Sequence, residues 1–367
     1  MVKLEGYGVK GSALRWIGQF LTGRRQRVCV SGSFSGWIDV LSGVPQGSVI
    51  GPILFVCFIN DLPEKISSLI YLYADDAKIF RRTGDDLDRR ALQRDLEQLE
   101  QWADRWQMKF NVGKCKVLHL GGDSNIGAPY YMGHGTGTRT ELLKTVEEKD
   151  LGVWMDGTCK PSNHIAHAVC KANQILGLIR RSFTYIDCSL MRLLFTSLVR
   201  PHLEYGNAVW YPYLQKDIDL LESVQHRATR LVPGLAKMAY EDRLRRMNLP
   251  TLVYRRHRGD MIEAYKYLNG VYRVDSTQLL PRHEEKGLKT RGHSKKLMKR
   301  EFRGQIRANS FGMRIVNVWN SLPEEVVTAP SVNSMKGRFD KHFAGNRYSM
   351  EWRRVSELNG DNDTEGP

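Results

Sequence analysis

The chain has 367 residues, 41% of them hydrophobic and 26% charged, a balance ordinary for folded protein and unlike that of a disordered polymer. Its 55 Lys and Arg exceed its 40 Asp and Glu, and the formal charge of +15 points to a polyanionic partner, most commonly a nucleic-acid backbone. Six cysteines without a CxxC pair argue against a disulfide framework and for an intracellular compartment, the first residues lack the apolar core of a signal peptide, and no run suits a membrane span.

In chain order, Leu14, Trp16, Ile17, Phe20 and Leu21 have the spacing of an amphipathic helix, a core element so early that it implies a partner segment upstream. After the basic turn Gly23-Arg24-Arg25, RVCVSG reads as a strand that residues 33–37 turn back into IDVLSG. Residues 49–59 are almost continuously apolar, which predicts a buried helix entered through Pro45 and Pro52. The apolar runs 69–74 and 77–80 are separated only by Asp75 and Asp76, so a hairpin with an acidic tip is the simplest local structure. Asp85 or Asp86 caps a helix striped by Leu92, Leu96, Leu99, Ala103 and Trp106, followed by the strand KVLHLG.

Residues 121–140 are rich in glycine and polar side chains and read as a loop before the strand DLGVWMD. Helices then dominate. Ile165, Val169, Ala172, Leu176 and Ile179 form one stripe, Met191, Leu194 and Leu198 a second before Pro201, and further helices are expected near 216–232 and 252–268. From Lys286 to Arg314 ten basic residues face one acid, Glu301, with Phe302 and Phe311 interleaved; the stretch reads either as a backbone-binding arm or as a solvated linker.

Adjacent aspartates on a rigid hairpin suit phosphoryl transfer, which commonly uses two divalent ions about 4 Å apart held by hard oxygen ligands. An Asp pair alone is more often a solvated turn. Here SGVPQGSVIGPILF lies upstream of it, with Gly43, Gly47 and Gly51 four apart beside Pro45 and Gln46, so that a bulky partner can approach the backbone. Cys159, His164, His167 and Cys170 have short spacings of the kind seen in zinc sites, but three of them also fit one helix face, which is the preferred reading, and GHGTGT at 133–138 reads as loop.

The SGVPQG segment is similar to motif B of reverse transcriptases and Tyr73-Ala74-Asp75-Asp76 to their motif C, in the same order. RRQRVCVSG, INDLP, KFNVGKCKVLHLGG, EKDLGV, SLVRPHLEYGNAVW and VQHRATRLV extend the resemblance, to about residue 343, to LINE-type (non-LTR) retrotransposons of the chicken-repeat-like group.

The resemblance implies an α+β fold: a partial polymerase palm, an antiparallel sheet with helices, over residues 1–120; a loop and closing strands over 121–160; a helical thumb-like region over 161–280; a basic C-terminal extension over 281–345; and a disordered tail from 346 to 367. It implies that Asp75 and Asp76 are catalytic metal ligands for Mg2+ (or Mn2+), and that Pro45, Gln46, Gly47, Tyr73 and Ala74 shape the nucleotide and template site. Lys114 resembles the motif D lysine, a proton donor to departing pyrophosphate, with Lys116 as its competitor. Partners would be an RNA template, a DNA primer and deoxynucleoside triphosphates, with Arg24, Arg25, Arg227 and Arg230 on the nucleic-acid backbone. The family's motif A aspartate and fingers have no counterpart in the sequence, so a catalytically incomplete RNA-directed DNA polymerase is expected. The alternatives are a non-catalytic RNA- or DNA-binding protein, in which Arg255, Arg256 and the 286–314 stretch also bind phosphates, and a relic with no present function.

Overall fold

The computed structural model describes residues 1–121, 129–133, 137–283 and 292–350. It divides into two units: residues 1–117 with 125–145, and 118–124 with 146–367. Helices and small two-stranded sheets are mixed throughout, in keeping with an α+β class.

In the first unit the order is α1 (Val2–Gly6), α2 (Gly11–Leu21), β1 (Arg24–Gln26), β2 (Cys29–Val30), β3 (Ser33–Phe34), β4 (Ile38–Val40), α3 (Gly51–Ile59), β5 (Leu69–Tyr73), β6 (Asp76–Phe80), α4 (Asp86–Arg105), β7 (Lys116–Leu118), β8 (Tyr131–Met132), β9 (Thr140–Glu141) and β10 (Leu143–Thr145). The first hairpin turns at Ser31-Gly32, both at positive φ, and not across 33–37 as expected. Two left-handed residues match the twist of the flanking strands, and so set the turn there. The expected 121–140 loop contains the β8–β9 hairpin, because Tyr130 and Met132 are buried against Leu96 and Leu99 of α4. Part of the GHGTGT segment, 134–136, lies outside the described residues.

Two helices are more open than their sequences imply. No residue of α2 is buried, and Trp16 is largely exposed. Only Gly51 and Ile59 are buried in α3, whose Ile53 and Val56 face outward, so the expectation of a buried helix fails: nothing among the described residues covers that side. In α4, by contrast, Asp85 is the N-cap, its carboxylate accepting from Asp88 N–H at 2.8 Å, and Leu96, Leu99 and Ala103 are buried as their spacing requires.

The second unit begins with β11 (Glu147–Asp150) and β12 (Val153–Asp156), a hairpin whose turn, Leu151-Gly152, falls inside the segment expected to be one strand. Both residues have positive φ, and a side chain on Gly152 would come within 2.8 Å of the Tyr205 ring. Then follow α5 (Ser162–Ser182), α6 (Cys188–Leu194), a π-helical turn (Phe195–Val199), α7 (Arg200–Glu204), α8 (Gln215–Arg230), α9 (Tyr240–Met247), α10 (Leu252–Leu268) and five short elements: α11 (Gln305–Ala308), α12 (Phe311–Arg314), α13 (Val316–Asn320), α14 (Glu324–Val327) and α15 (Val332–His342).

The α5 stripe is buried as its spacing predicts. The next stripe is instead Met191, Phe195, Val199 and Leu203, while Leu198 is half exposed. The π turn causes the shift: Arg200 N–H bonds to Phe195 O, adding a residue just where the ring of Pro201 would meet the Ser197 carbonyl of a regular helix.

The segment expected to be an arm or linker, 286–314, is anchored at Leu297 and Phe311, while Lys299, Arg300, Arg303 and Arg307 are exposed between them, and a folded layer follows it. Leu297, Ile315, Val316, Trp319, Val326, Met335 and Phe339 pack with Tyr254, Met261 and Tyr265 of α10 in one core. Trp319 is fully buried and donates from Nε1 to Lys295 O at 2.8 Å. Residues 286, 289 and 291 of that stretch lie outside the described residues. Where the tail was expected to begin, the chain is still held: Thr251 N–H bonds to Arg347 O at 3.1 Å, and Tyr348 O–H donates to Asn248 Oδ1 at 3.1 Å. The expected disordered stretch from 351 on lies outside the described residues.

Candidate active site

The acidic hairpin is β5–β6, in the register Leu69↔Phe80, Ile70↔Ile79, Tyr71↔Lys78, Leu72↔Ala77 and Tyr73↔Asp76. Side chains alternate across a strand pair, so Ile70, Leu72 and Ile79 face the core of the first unit. Leu69, Tyr71 and Tyr73 are exposed on the other face, which Asp76 shares through its pairing with Tyr73. Ala74 and Asp75 form the two-residue turn, and Ala74 sits at φ 52°, a left-handed conformation unfavourable for a residue with a Cβ. Both carboxylates are thereby brought together at an exposed tip.

The base of the hairpin is held by residues that sequence reading missed. Asp95, buried in α4, accepts from the backbone N–H of Ser67 and Ser68, both at 2.9 Å, and from both hydroxyls. Burial pushes its carboxyl up, but these hydrogen bonds outweigh burial and hold it below the usual range. Arg81, just after β6, donates to Ser67 Oγ at 3.0 Å and lies 3.9 Å from Asp95. The one available signal was an acid at position 95 on the same helix face as Leu92 and Leu99.

Upstream, Pro45-Gln46-Gly47-Ser48 is a turn with Gly47 at φ 77°, and Gln46 and Gly47 are exposed. Ser48 Oγ bonds to Pro45 O at 2.7 Å and accepts from Gly51 N–H at 3.1 Å at the start of α3. A Cβ on Gly51 would lie 2.8 Å from Ser48 Oγ, so this glycine permits close packing, whereas Gly43 and Gly47 permit left-handed backbone with open space around them. Lys114 is exposed at the end of a 3-10 turn spanning Val112–Lys114, and Lys116 is exposed on β7.

The arginines fall into two groups. Arg24 is occupied within the unit: Nε donates to Leu21 O at 2.9 Å, and Nη2 to Gly43 O at 2.6 Å and Ser42 O at 3.1 Å, so it fastens the segment entering the glycine-rich turn. Arg25 is exposed beside Asp39 at 3.4 Å, and Arg227 and Arg230 are exposed on α8. The structure contradicts phosphate-binding roles for three others. Arg256 is 2% exposed, Arg255 forks onto Glu204, and Arg314 is buried against Asp260, because each compensates burial or a buried acid.

His164 accepts from Trp154 N–H at 3.2 Å and packs on Trp210, while His167 stacks on Trp154 with centroids 4.4 Å apart. These histidines serve helix packing.

Two adjacent carboxylates are hard donors of the type Mg2+ takes, but among the described residues no three His, Cys, Asp or Glu side chains cluster as a metal site. The donor type fits a divalent ion and the donor number does not complete its shell. Among the described residues, no helix is long and apolar enough to cross a membrane.

Residues 2–167 match the family model described as reverse transcriptase (RNA-dependent DNA polymerase). The chain is 27% identical over 267 residues to the RNA-directed DNA polymerase from mobile element jockey of Drosophila melanogaster, an alignment covering 68% of this chain and 28% of that protein. It is 34% identical over 234 residues to the jockey polymerase of Drosophila funebris, covering 59% and 25%. To the probable RNA-directed DNA polymerase from transposon BS of Drosophila melanogaster it is 26% identical over 298 residues, covering 76% and 32%. The chain thus spans about a quarter to a third of the length of these relatives. No solved structure matches it. The first 167 residues are therefore reverse-transcriptase-like in sequence, and similarity to the RNA-directed DNA polymerases of mobile elements extends over most of the chain.

Proposed function

We propose that the chain is the palm-and-thumb portion of an RNA-directed DNA polymerase from a non-LTR retrotransposon, of the chicken-repeat-like group by its motifs, acting on an RNA template, a DNA primer and deoxynucleoside triphosphates. The observation that carries this reading is the exposed Tyr73-Ala74-Asp75-Asp76 hairpin within the stretch matching reverse transcriptases. Asp75 and Asp76 would hold Mg2+ or Mn2+. Tyr73 and Ala74 would set the tip, and Pro45, Gln46 and Gly47 would face the template and nucleotide. Lys114 would serve as proton donor, and Arg25, Arg227 and Arg230 would contact phosphates, with Arg24 positioning the turn. The first unit is the palm portion and the helices of the second the thumb.

Two carboxylates, with no third acid clustered with them among the described residues, are too few ligands for two ions, and the isolated chain is expected not to extend a primer. The experiment is Mg2+-dependent primer extension by this chain and by a longer product of the same gene. Extension by the longer protein only, abolished by Asp75→Asn, is expected. Extension by the 367-residue chain that Asp75→Asn abolishes would refute the incompleteness, and extension by the longer protein that survives Asp75→Asn would refute the site.

Exposed Arg227 and Arg230 on one helix also support a non-catalytic reading, RNA or DNA binding. Salt-sensitive binding that survives Asp75→Asn in a longer protein that makes no DNA would favour it.

A further inference from the structure

The second unit contains a cavity of about 290 Å³ that plays no part in the acidic hairpin. Its wall carries five arginines: Arg192 on α6, Arg200 at the start of α7, Arg255 and Arg258 on α10, and Arg347 beyond α15. The chain assembles them from segments far apart in sequence.

Two carboxylates oppose these five guanidinium groups. Arg255 forks onto Glu204, with Nη2 at 2.7 Å from Oε2, and the Nε of Arg200 lies 3.7 Å from the same acid. Arg258 forks onto Asp340 at 2.6 and 2.8 Å, and Tyr254 O–H also donates to that carboxylate at 2.8 Å. Five positive groups less two negative ones leave an excess of three around one small volume. Arg192 and Arg347 have no ion-pair partner among the described residues. Burial first, then the charges of Arg255 and Arg192, depress the Arg200 guanidinium below its ordinary range, and the opposing charge of Glu204 does not offset them.

Holding like charges together costs stability unless something fills the space between them. Water would screen them. An anion with several oxygens would also accept their hydrogen bonds. A phosphate group matches on both counts, since guanidinium forks pair with its oxygens, and it spreads its charge over more acceptors than a single carboxylate offers. The π turn places Thr196 in the same wall, adding a hydroxyl.

We propose that this cavity is a binding site for a phosphate group, with Arg192, Arg200 and Arg347 as its principal donors and the Arg255–Glu204 and Arg258–Asp340 pairs as its rigid frame. The proposal stands independently of the polymerase reading. A nucleic-acid backbone and free phosphate are the two sources of such a group, and the experiment separates them.

Binding of inorganic phosphate to the full chain is measured by calorimetry, and binding of a labelled single-stranded RNA by anisotropy, for the unaltered protein and for R192A/R347A. Among the described residues Arg192 has no ion-pair partner and Arg347 acts on Asp340 only at longer range, so their removal leaves Glu204 and Asp340 with their own arginines. A loss of tenfold or more in phosphate affinity is expected. A parallel loss in RNA affinity, with phosphate competing against RNA, identifies the backbone as the source; unchanged RNA affinity identifies free phosphate. Failure of phosphate to bind the unaltered chain, or equal affinity in R192A/R347A, overturns the proposal. Should R192A/R347A not fold, R192A alone carries the same expectation, because Arg192 is exposed at the rim.

Discussion

Asp95 accepts hydrogen bonds from both the backbone N–H and the hydroxyl of Ser68, the residue immediately before the strand that leads to Asp75. A buried carboxylate on one helix thus fixes where the acidic hairpin begins. Asp95→Ala would leave the amides of Ser67 and Ser68 without acceptors, at a cost of about 2–5 kcal/mol, measurable by urea unfolding. The folded pKa is lowered, so the carboxylate's contribution is complete above the ordinary value of 3.8 and is lost as pH falls through the lower folded value. Asp95→Asn should flatten that acid limb. An unchanged limb would mean that the carboxylate does not hold the hairpin base.

At the tip, Ala74 adopts φ 52°. Left-handed backbone costs a residue bearing a Cβ about 1–2 kcal/mol, an amount partly offset for glycine by its greater unfolded-chain entropy. Ala74→Gly should therefore be neutral or stabilising by up to about 1 kcal/mol, and Ala74→Val destabilising by more than that. Equal thermal stability of the two variants would show that the turn is unstrained.

Arg314 forks onto Asp260 with two 2.9 Å hydrogen bonds, and both side chains are nearly inaccessible. Nη2 also reaches Asn207 O and Ala208 O, and Nη1 donates to Asn309 O at 3.1 Å. Arg314→Met would strand a buried acid and cost about 3–5 kcal/mol, and the double replacement with Asp260→Leu should recover much of it. The salt dependence of RNA binding should not change in either. A shallower salt slope in Arg314→Met would restore the residue to a phosphate-binding role.

His164 is nearly buried, and its Nδ1 accepts a proton donor, so burial first and then the charges of His167 and Lys149 lower its pKa to about 4. The unfolded chain takes up the proton near 6.5 while the folded chain resists it. Stability from this group is therefore present in full above about 6.5 and declines as pH falls toward 4, by roughly 2–3 kcal/mol in all. His164→Phe keeps a ring against Trp210 and should remove this slope between pH 6.5 and 4. Denaturant midpoints that fall just as steeply in His164→Phe would assign the slope to other groups.

What the sequence disclosed depended on repeat period. The α5 stripe and the limits of α10 follow from a 3.6-residue pattern carried over several turns, and the hairpin from two apolar runs around Asp75-Asp76. Turn positions were less legible, because Leu151 at φ 44° is a conformation its side chain disfavours and only surrounding contacts impose. Arg256 and Arg314 read as solvated or phosphate-binding because charge along a chain gives no sign of burial. The acid that holds Arg314, Asp260, lies on another helix, α10. At the candidate site, the residues of the tip were visible as a motif, whereas Asp95 and Arg81, which clamp its base, were hidden among ordinary helix and loop charges.

The π turn at Phe195–Val199 holds one residue more than a regular helix needs. A three-base deletion within those codons would keep the reading frame and let the helix close with regular spacing. Everything after it would keep its facing, since the residue removed is the one the wide turn absorbs, and no extra step of about 100° is lost from the regular helix. Leu203 would stay in the core, and the cost would fall on Pro201, whose ring would then meet the carbonyl four residues before it. Substitutions at the exposed Leu198 should be mild, so the proline and not the apolar stripe is what holds the extra residue in place.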